Sequence, residues 1–210
     1  MTQKAIKETL QLLSQHYPDA ECSLHYESTL QLLIATILSA QCTDERVNQV
    51  TPGLFQRYRT AHDFATANEE ELQTVIRSTG FYKNKAKHII GACQMILSEY
   101  DGQIPKSMTK LCALPGVARK TANVVLGNAF QMAEGVVVDT HVTRISRRLG
   151  WTLEQNAVKI EKDLVKIIPK DQWINISHRL ILHGRSLCQA RKAKCDSCFL
   201  QELCPSAHKV

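Results

Sequence analysis

Apolar residues recur along this chain at the spacing of helices almost throughout. Ile6, Leu10 and Leu13 form a first stripe that stops at Tyr17-Pro18. Leu30, Leu33, Ile34, Ile37 and Leu38 form a second, mostly apolar one, with Ser28 positioned as its N-cap. Thr43-Asp44 opens a third helix through Val47, Val50 and Leu54, which Pro52 should end or bend. Asn68-x-x-Glu71 has the form of a capping box ahead of Leu72 and Ile76. Ala86, Ile89, Ile90, Cys93 and Leu97 predict a longer helix that finishes near Tyr100-Asp101-Gly102. Met108, Leu111 and Leu114 lead to Pro115-Gly116, and another helix follows through Val124, Val125 and Phe130. Three more stripes complete the pattern: Val142 to Leu149, Val158 to Ile168 before Pro169, and Trp173 to Ile181. Val136-Val137-Val138 is strand-like but too short and isolated to define a sheet. The pattern therefore predicts an all-α protein of roughly ten helices.

Composition adds that the chain can fold. Apolar residues make up 44% of its 210 residues, while Gly and Pro together number only 15, so a packed core is expected rather than disorder. No apolar stretch approaches the roughly 20 residues of a membrane helix, and no membrane association is expected. The stretch Met1-Thr2-Gln3-Lys4-Ala5-Ile6-Lys7 lacks the apolar run of a signal peptide, so a cytoplasmic, intracellular location is expected. The net charge of +6 is unevenly placed. Residues 1–133 carry 13 basic against 12 acidic side chains, and residues 134–210 carry 13 against 8. A basic C-terminal third points to a polyanionic partner, and the shift near residue 134 is the best sign of a domain boundary.

Chemistry concentrates in three places. Half of the eight cysteines, Cys188, Cys195, Cys198 and Cys204, fall in one short segment with the spacing C-x6-C-x2-C-x5-C. Cys22, Cys42, Cys93 and Cys112 are scattered beside apolar neighbours and are expected to be structural. Disulfides would need an oxidising compartment, which nothing here suggests. Thiol chemistry alone leaves a tetrahedral zinc ion and an iron–sulfur cubane both open. The second place is Leu111-Cys112-Ala113-Leu114-Pro115-Gly116-Val117-Ala118-Arg119-Lys120, where a helix ends, Pro-Gly turns the chain and a new helix begins. A helix start presented by so tight a turn offers free N–H groups to a phosphate. Lys120 falls in its first turn, where the helix dipole disfavours a cation; partial burial would add to that, leaving the neutral amine a nucleophile and Schiff-base former. Asp139 is the third, a carboxylate after Val138 that can cap the helix beginning at Thr140.

Together these residues resemble the endonuclease III family, bifunctional glycosylase/lyases of base-excision repair. The resemblance spans nearly the whole chain. Its carriers are Leu30–Asp44, Gly80–Ala86, Leu114–Phe130, Val138–Arg144, Leu180–Arg185 and the cysteine segment, whose spacing is that of the family's [4Fe–4S] ligands. It implies an all-α fold of two helical domains flanking a DNA-binding cleft. One is a six-helix barrel with the helix–hairpin–helix, expected at residues 23–133. The other is an iron–sulfur cluster domain, expected at residues 1–22 and 134–210. Lys120 matches the family's nucleophile and Asp139 its partner carboxylate. Gln41 matches the residue that fills the space of a flipped base, and Phe81 the wedge between bases. Gly116, Ala118 and Arg119 of the hairpin, with Arg191, Lys192 and Lys194 of the cysteine loop, are the implied DNA contacts. The implied partner is double-stranded DNA with damaged bases, foremost oxidised pyrimidines, or abasic sites, bound by a monomer. Ala118 stands where the family usually has glycine, Phe81 where leucine is common, and Cys112 where a polar residue is usual. Two alternatives frame the reading. Monofunctional glycosylases of the same superfamily lack a lysine at the place of Lys120, and a non-catalytic hairpin module would use the turn only for phosphate contacts.

Overall fold

The computed structural model describes residues 2–209; the domain ends expected at residues 1 and 210 lie outside them. Every regular element among the described residues is helical. In chain order the α-helices are α1 (Gln3–His16), α2 (Thr29–Leu38), α3 (Asp44–Arg57), α4 (Ala61–Ala65), α5 (Glu69–Ile76), α6 (Tyr82–Glu99), α7 (Met108–Ala113), α8 (Arg119–Phe130), α9 (Thr140–Arg148), α10 (Ala157–Ile167) and α11 (Trp173–Ser186). Short 3-10 turns occur at Arg77–Thr79, Lys170–Gln172, Cys195–Ser197 and Gln201–Leu203. Val136-Val137-Val138 runs extended without pairing into a sheet.

Side-chain caps set most of the helix starts. Ser28 accepts from the backbone N–H of Gln31, Thr43 from Arg46 and Asn156 from Val158 and Lys159. Asn68 caps α5 through the N–H groups of Glu70 and Glu71, but the reciprocal half of the expected capping box is replaced by a salt bridge from Glu71 to Arg57. A complete box stands elsewhere, between Thr60 and Asp63, and starts the five-residue α4 that the apolar pattern did not reveal. Of the two outcomes expected of Pro52, to end or bend α3, the first does not occur: the helix continues past it to Arg57. Pro52 lies on the exposed side, while Val47, Thr51 and Leu54 are buried on the other. That burial offsets the roughly 3 kcal/mol that a proline costs inside a helix. Among the described residues, no helix is long and apolar enough to cross a membrane.

The chain divides into two compact units, Cys22–Glu134 and Met1–Glu21 with Gly135–Val210. The first is built on α2, whose residues 32–38 are all buried. A helix apolar on every side must lie at the centre of its unit, and α2 packs against α3, α6 and α8. Helix α6 in turn carries α4 and α5, with Phe64, Leu72, Ile76, Ile89 and Ile96 in the same core. The second unit is organised by α11, which packs on α9 and α1 around Ile176 and Leu180. Gly184 lets α9 come close: a β-carbon there would lie 2.5 Å from His141 Nδ1 and 2.8 Å from the Arg144 guanidinium.

Leu72 is fully buried whereas Leu153 is 93% exposed. Leu72→Ala should lower unfolding free energy by about 2–5 kcal/mol. Leu153→Ala should leave the denaturant midpoint near that of the parent protein. Equal effects of the two in urea titrations would contradict the assignment of the core.

Candidate active site and cysteine centre

The hairpin is set by one backbone position. α7 ends at Ala113, the Leu114 N–H closes on Leu111 and the Val117 N–H on Leu114, so the chain reverses within five residues. Gly116 has φ +76, and a β-carbon on it would come within 2.7 Å of His88 Cβ on α6. Left-handed backbone and contact with a side chain together demand glycine. Ala118 follows at φ −85 and ψ 168, an ordinary extended conformation that alanine adopts freely. The substitution of the family's usual glycine is thus accommodated by the backbone.

Helix α8 begins directly after Ala118 with no side-chain cap. An uncapped start at the positive end of a helix dipole is the arrangement that attracts a phosphate. Lys120 lies in this first turn and is exposed, so burial adds nothing to the effect of the dipole. The reason is local: the turn that presents α8 leaves Ala118, Arg119 and Lys120 all on the surface. The Arg119 guanidinium donates to the carbonyl of Glu134 at 3.3 Å, which ties the segment after α8 back to its first turn.

Asp139 is the N-cap of α9. The extended segment before it is anchored by buried Val136 and Val138 and by the Ser177 hydroxyl, which donates to the Val137 carbonyl at 2.9 Å. Asp139 Oδ1 accepts from the Val142 N–H at 2.8 Å, and the side chain is half-buried. The carboxylate is thereby fixed in direction and retains its second oxygen for other work.

Helix α9 also braces the cysteine loop. Arg144 donates to the carbonyls of Gly184 and Cys188 at 3.0–3.2 Å, and burial pushes its guanidinium below the usual arginine range. Arg148, one turn on, donates to Gln189 O at 2.8 Å, Ala190 O at 3.0 Å and Cys188 Sγ at 3.3 Å. Neither arginine was singled out from the sequence; the signal was their i, i+4 spacing after a capped start. Cys188, Cys195, Cys198 and Cys204 are all free thiols and all line one cavity, closed on its other sides by Ile145, Leu149 and Leu200. Burial pushes the Cys198 and Cys204 thiols up, the neighbouring cysteines push the same way, and backbone N–H groups of Leu200 and Ser206 oppose both. Four thiolates so close in an apolar cavity repel one another unless a cation lies among them, which is the donor chemistry of a thiolate-bound metal group. Among the described residues, no three His, Cys, Asp or Glu side chains converge on a single ion. Arg191, Lys192 and Lys194 are exposed on the same loop.

Two loop tips share an unusual backbone. Gln41 and Phe81 are both non-glycine residues in the left-handed region, at φ 53 and φ 48. Each such residue costs about 1–2 kcal/mol. Both side chains are exposed, Phe81 by 63%. Near their bases lies Lys85, which is only 4% exposed and was not singled out from the sequence. Its ammonium donates to the carbonyls of Leu38 at 2.7 Å and Thr79 at 2.8 Å, and burial pushes it below the usual lysine range. The signal was its place on the apolar stripe of α6, four residues before Ile89. Of the scattered cysteines, Cys93 is buried and its thiol is pushed up to about 12 by that burial, as befits a structural residue. Cys112 departs from expectation: it is exposed on α7, its sulfur 3.7 Å from that of Met108. Leu111, not Cys112, turns inward there.

The family model of the HhH-GPD superfamily of base excision DNA repair proteins matches residues 34–170. Endonuclease III of Synechocystis sp. is 56% identical over 200 residues, spanning 95% of this chain and 91% of that protein. The chain belongs to the endonuclease III family. It is accordingly a base-excision repair enzyme, a DNA glycosylase with abasic-site lyase activity. Among solved structures, a non-covalent endonuclease III–DNA complex superposes with a TM-score of 0.94 at 45% identity, covering 100% of this chain and 98% of that one. A trapped endonuclease III–DNA covalent intermediate superposes with a TM-score of 0.93, at the same identity and coverage. The all-α fold expected from the sequence is the fold of this family.

Two glycines should respond to alanine with opposite signs. Gly116→Ala combines positive φ with the His88 contact and should destabilise by at least about 1–2 kcal/mol. Gly53 lies within α3 with nothing near its absent β-carbon, and Gly53→Ala should stabilise by up to about 1 kcal/mol. Thermal unfolding of the two variants checks this, and a shift of the same sign in both would refute the account of the hairpin.

Proposed function

We propose that this enzyme removes damaged bases, oxidised pyrimidines foremost, from double-stranded DNA and cuts the strand at the resulting abasic site, with Lys120 as nucleophile and Asp139 as its partner carboxylate. The observation that carries the assignment is the setting of Lys120: an exposed amine in the first turn of a helix whose start has no side-chain cap. The uncapped helix start beside it suits a phosphate. A nucleotide must leave the stack before its C1′ can be reached. The Lys120 lone pair then bonds to C1′ while the glycosidic bond breaks, and the base departs with that electron pair and takes up a proton. Asp139 balances the positive charge that develops on the sugar and accepts a proton from the attacking amine. Opening of the C1′–O4′ bond gives an imine. Its electron-withdrawing character lets a C2′ proton leave, and the electrons released expel the 3′ phosphate oxygen. Water hydrolyses the imine and frees Lys120.

Gln41 fills the gap left by the flipped nucleotide and Phe81 enters the stack as a wedge, which helps to bend the duplex. The hairpin at Gly116, Ala118 and Arg119, with Arg191, Lys192 and Lys194, positions the backbone by phosphate contacts that carry no sequence information. Cys188, Cys195, Cys198 and Cys204 would hold a [4Fe–4S] cluster, which would cross-link the segment that carries those cations. The thiol-lined cavity and the Arg148–Cys188 contact support this reading. The enzyme works inside the cell as a monomer on duplex DNA.

Borohydride trapping on a duplex with an abasic site tests the nucleophile. The parent protein should form a covalent adduct and Lys120→Ala should form none, while still binding a duplex with a reduced abasic site. An adduct with Lys120→Ala would remove the assignment. Asp139→Asn retains a side-chain oxygen for the cap, so folding should be kept. Its single-turnover base release should nonetheless fall on the order of 10²-fold or more. An unchanged rate would rule out a role for the carboxylate.

The loop brace makes a separate prediction. Arg148→Ala should leave the purified protein with less iron per chain and weaker visible absorbance than the parent. Full iron content in that variant would show that the bonds from Arg148 to Cys188, Gln189 and Ala190 do not hold the loop for its cluster.

A further inference from the structure

We infer that Lys85 is a positioning residue that makes the Gln41 and Phe81 tips a single preorganised two-pronged wedge. The inference rests on the reading of those tips as the residues inserted into the duplex. Lys85 lies in the first turn of α6, directly after Phe81, and its own N–H donates to the Phe81 carbonyl at 3.1 Å. Its ammonium reaches two further carbonyls. One is that of Leu38, the last residue of α2 and three residues before Gln41. The other is that of Thr79, the last residue of the Arg77–Thr79 turn and two residues before Phe81. Both carbonyls lie at the ends of helical segments, where acceptors lack an intrahelical donor.

Why a lysine stands at this buried point follows from charge. The last turn of α2 contains no basic residue of its own, and Lys85 supplies a cation to that negative end from another helix. Among the described residues, the ammonium bonds to these two carbonyls. An apolar side chain would fill the site at lower desolvation cost. What it would not do is tie two separate chain segments to one centre. The segments so tied are the ones that lead into the two left-handed residues, Gln41 at φ 53 and Phe81 at φ 48. Strained, exposed side chains persist where the surrounding structure over-determines them. A pair of tips fixed in this way enters DNA without first being ordered, which is the advantage of preorganisation.

The test uses the full-length enzyme and three measurements. Lys85→Met should slow base excision from a lesion-containing duplex by about 10-fold to 10²-fold, the scale of a small misplacement. It should also reduce the fluorescence rise of 2-aminopurine placed opposite the lesion. Borohydride trapping on a single-stranded abasic oligonucleotide, where no duplex has to be opened, should stay within about twofold of the parent, since that step needs no wedge. Coupling decides the mechanism. In a Gln41→Ala/Phe81→Ala background, Lys85→Met should cause little further loss on the duplex. If its loss is instead multiplied in full, or if single-stranded trapping falls in parallel with duplex excision, Lys85 is a general structural residue and the inference is overturned. If the tip variant alone behaves as the parent on duplex DNA, the wedge reading itself has failed, and the inference falls with it.

Discussion

The contact between the Gly116 backbone and the His88 side chain is the constraint on which the site depends. It forces the chain through a left-handed turn against α6 and fixes where α8 begins. Had residue 116 carried a β-carbon, the turn would have to move off His88 and α6, and the first turn of α8 with it. Ala118 offers no oxygen, so the N-cap side chain does not satisfy that turn. The same absence that weakens α8 as an isolated helix leaves donors for a phosphate and places a cationic residue where the dipole opposes its charge. A serine or aspartate at position 118 would make a better helix start and a poorer anion site.

In the other unit, α9 links two tasks. Its N-terminus is capped by Asp139, whose direction is thereby set. Its C-terminal half carries Arg144 and Arg148, which hold the backbone from Gly184 to Ala190 and touch the first of the four cysteines. The carboxylate and the cysteine loop are therefore referred to one rigid helix. A disturbance of the loop would be felt at the cap through α9, and the loop's exposed cations share that frame.

Most of the helices were legible because they bury a stripe. α2, α6, α10 and α11 each show apolar residues at helical spacing, and caps such as Ser28 and Thr43 announced their starts. The proposed site residues stood out for a different reason: Lys120, Asp139 and the four cysteines are chemically conspicuous at their positions. What escaped was tertiary. Pro52 was read by its local cost, while Val47, Thr51 and Leu54 decided the matter from the buried side. The Thr60–Asp63 box was present in the sequence, but the helix behind it is too short to show a period. Cys112 was taken inward by its neighbours, yet in a helix adjacent residues face different ways, and Leu111 took the core.

Lys85 was the hardest to read because its meaning depends on two carbonyls 47 and 6 residues away. Charged residues in helical sequences are ordinarily solvated, and only its place on an apolar stripe set it apart. Four departures from local preference fall at the proposed surfaces: a cation buried against two carbonyls, Gln41 and Phe81 at positive φ, the start of α8 without a side-chain cap and four thiols around one cavity. Each costs folding energy, and none improves packing. Sequences tend to violate local preference where function requires it. These four fall where the nucleotide, the duplex stack, a phosphate and the cluster are proposed to sit. Positive φ also occurs at Asp101, Gln131 and His208, and α6, α7 and α11 likewise start without a side-chain cap, so backbone departures alone do not mark a site; the amine, the two exposed tips and the thiols at these places give them chemical meaning.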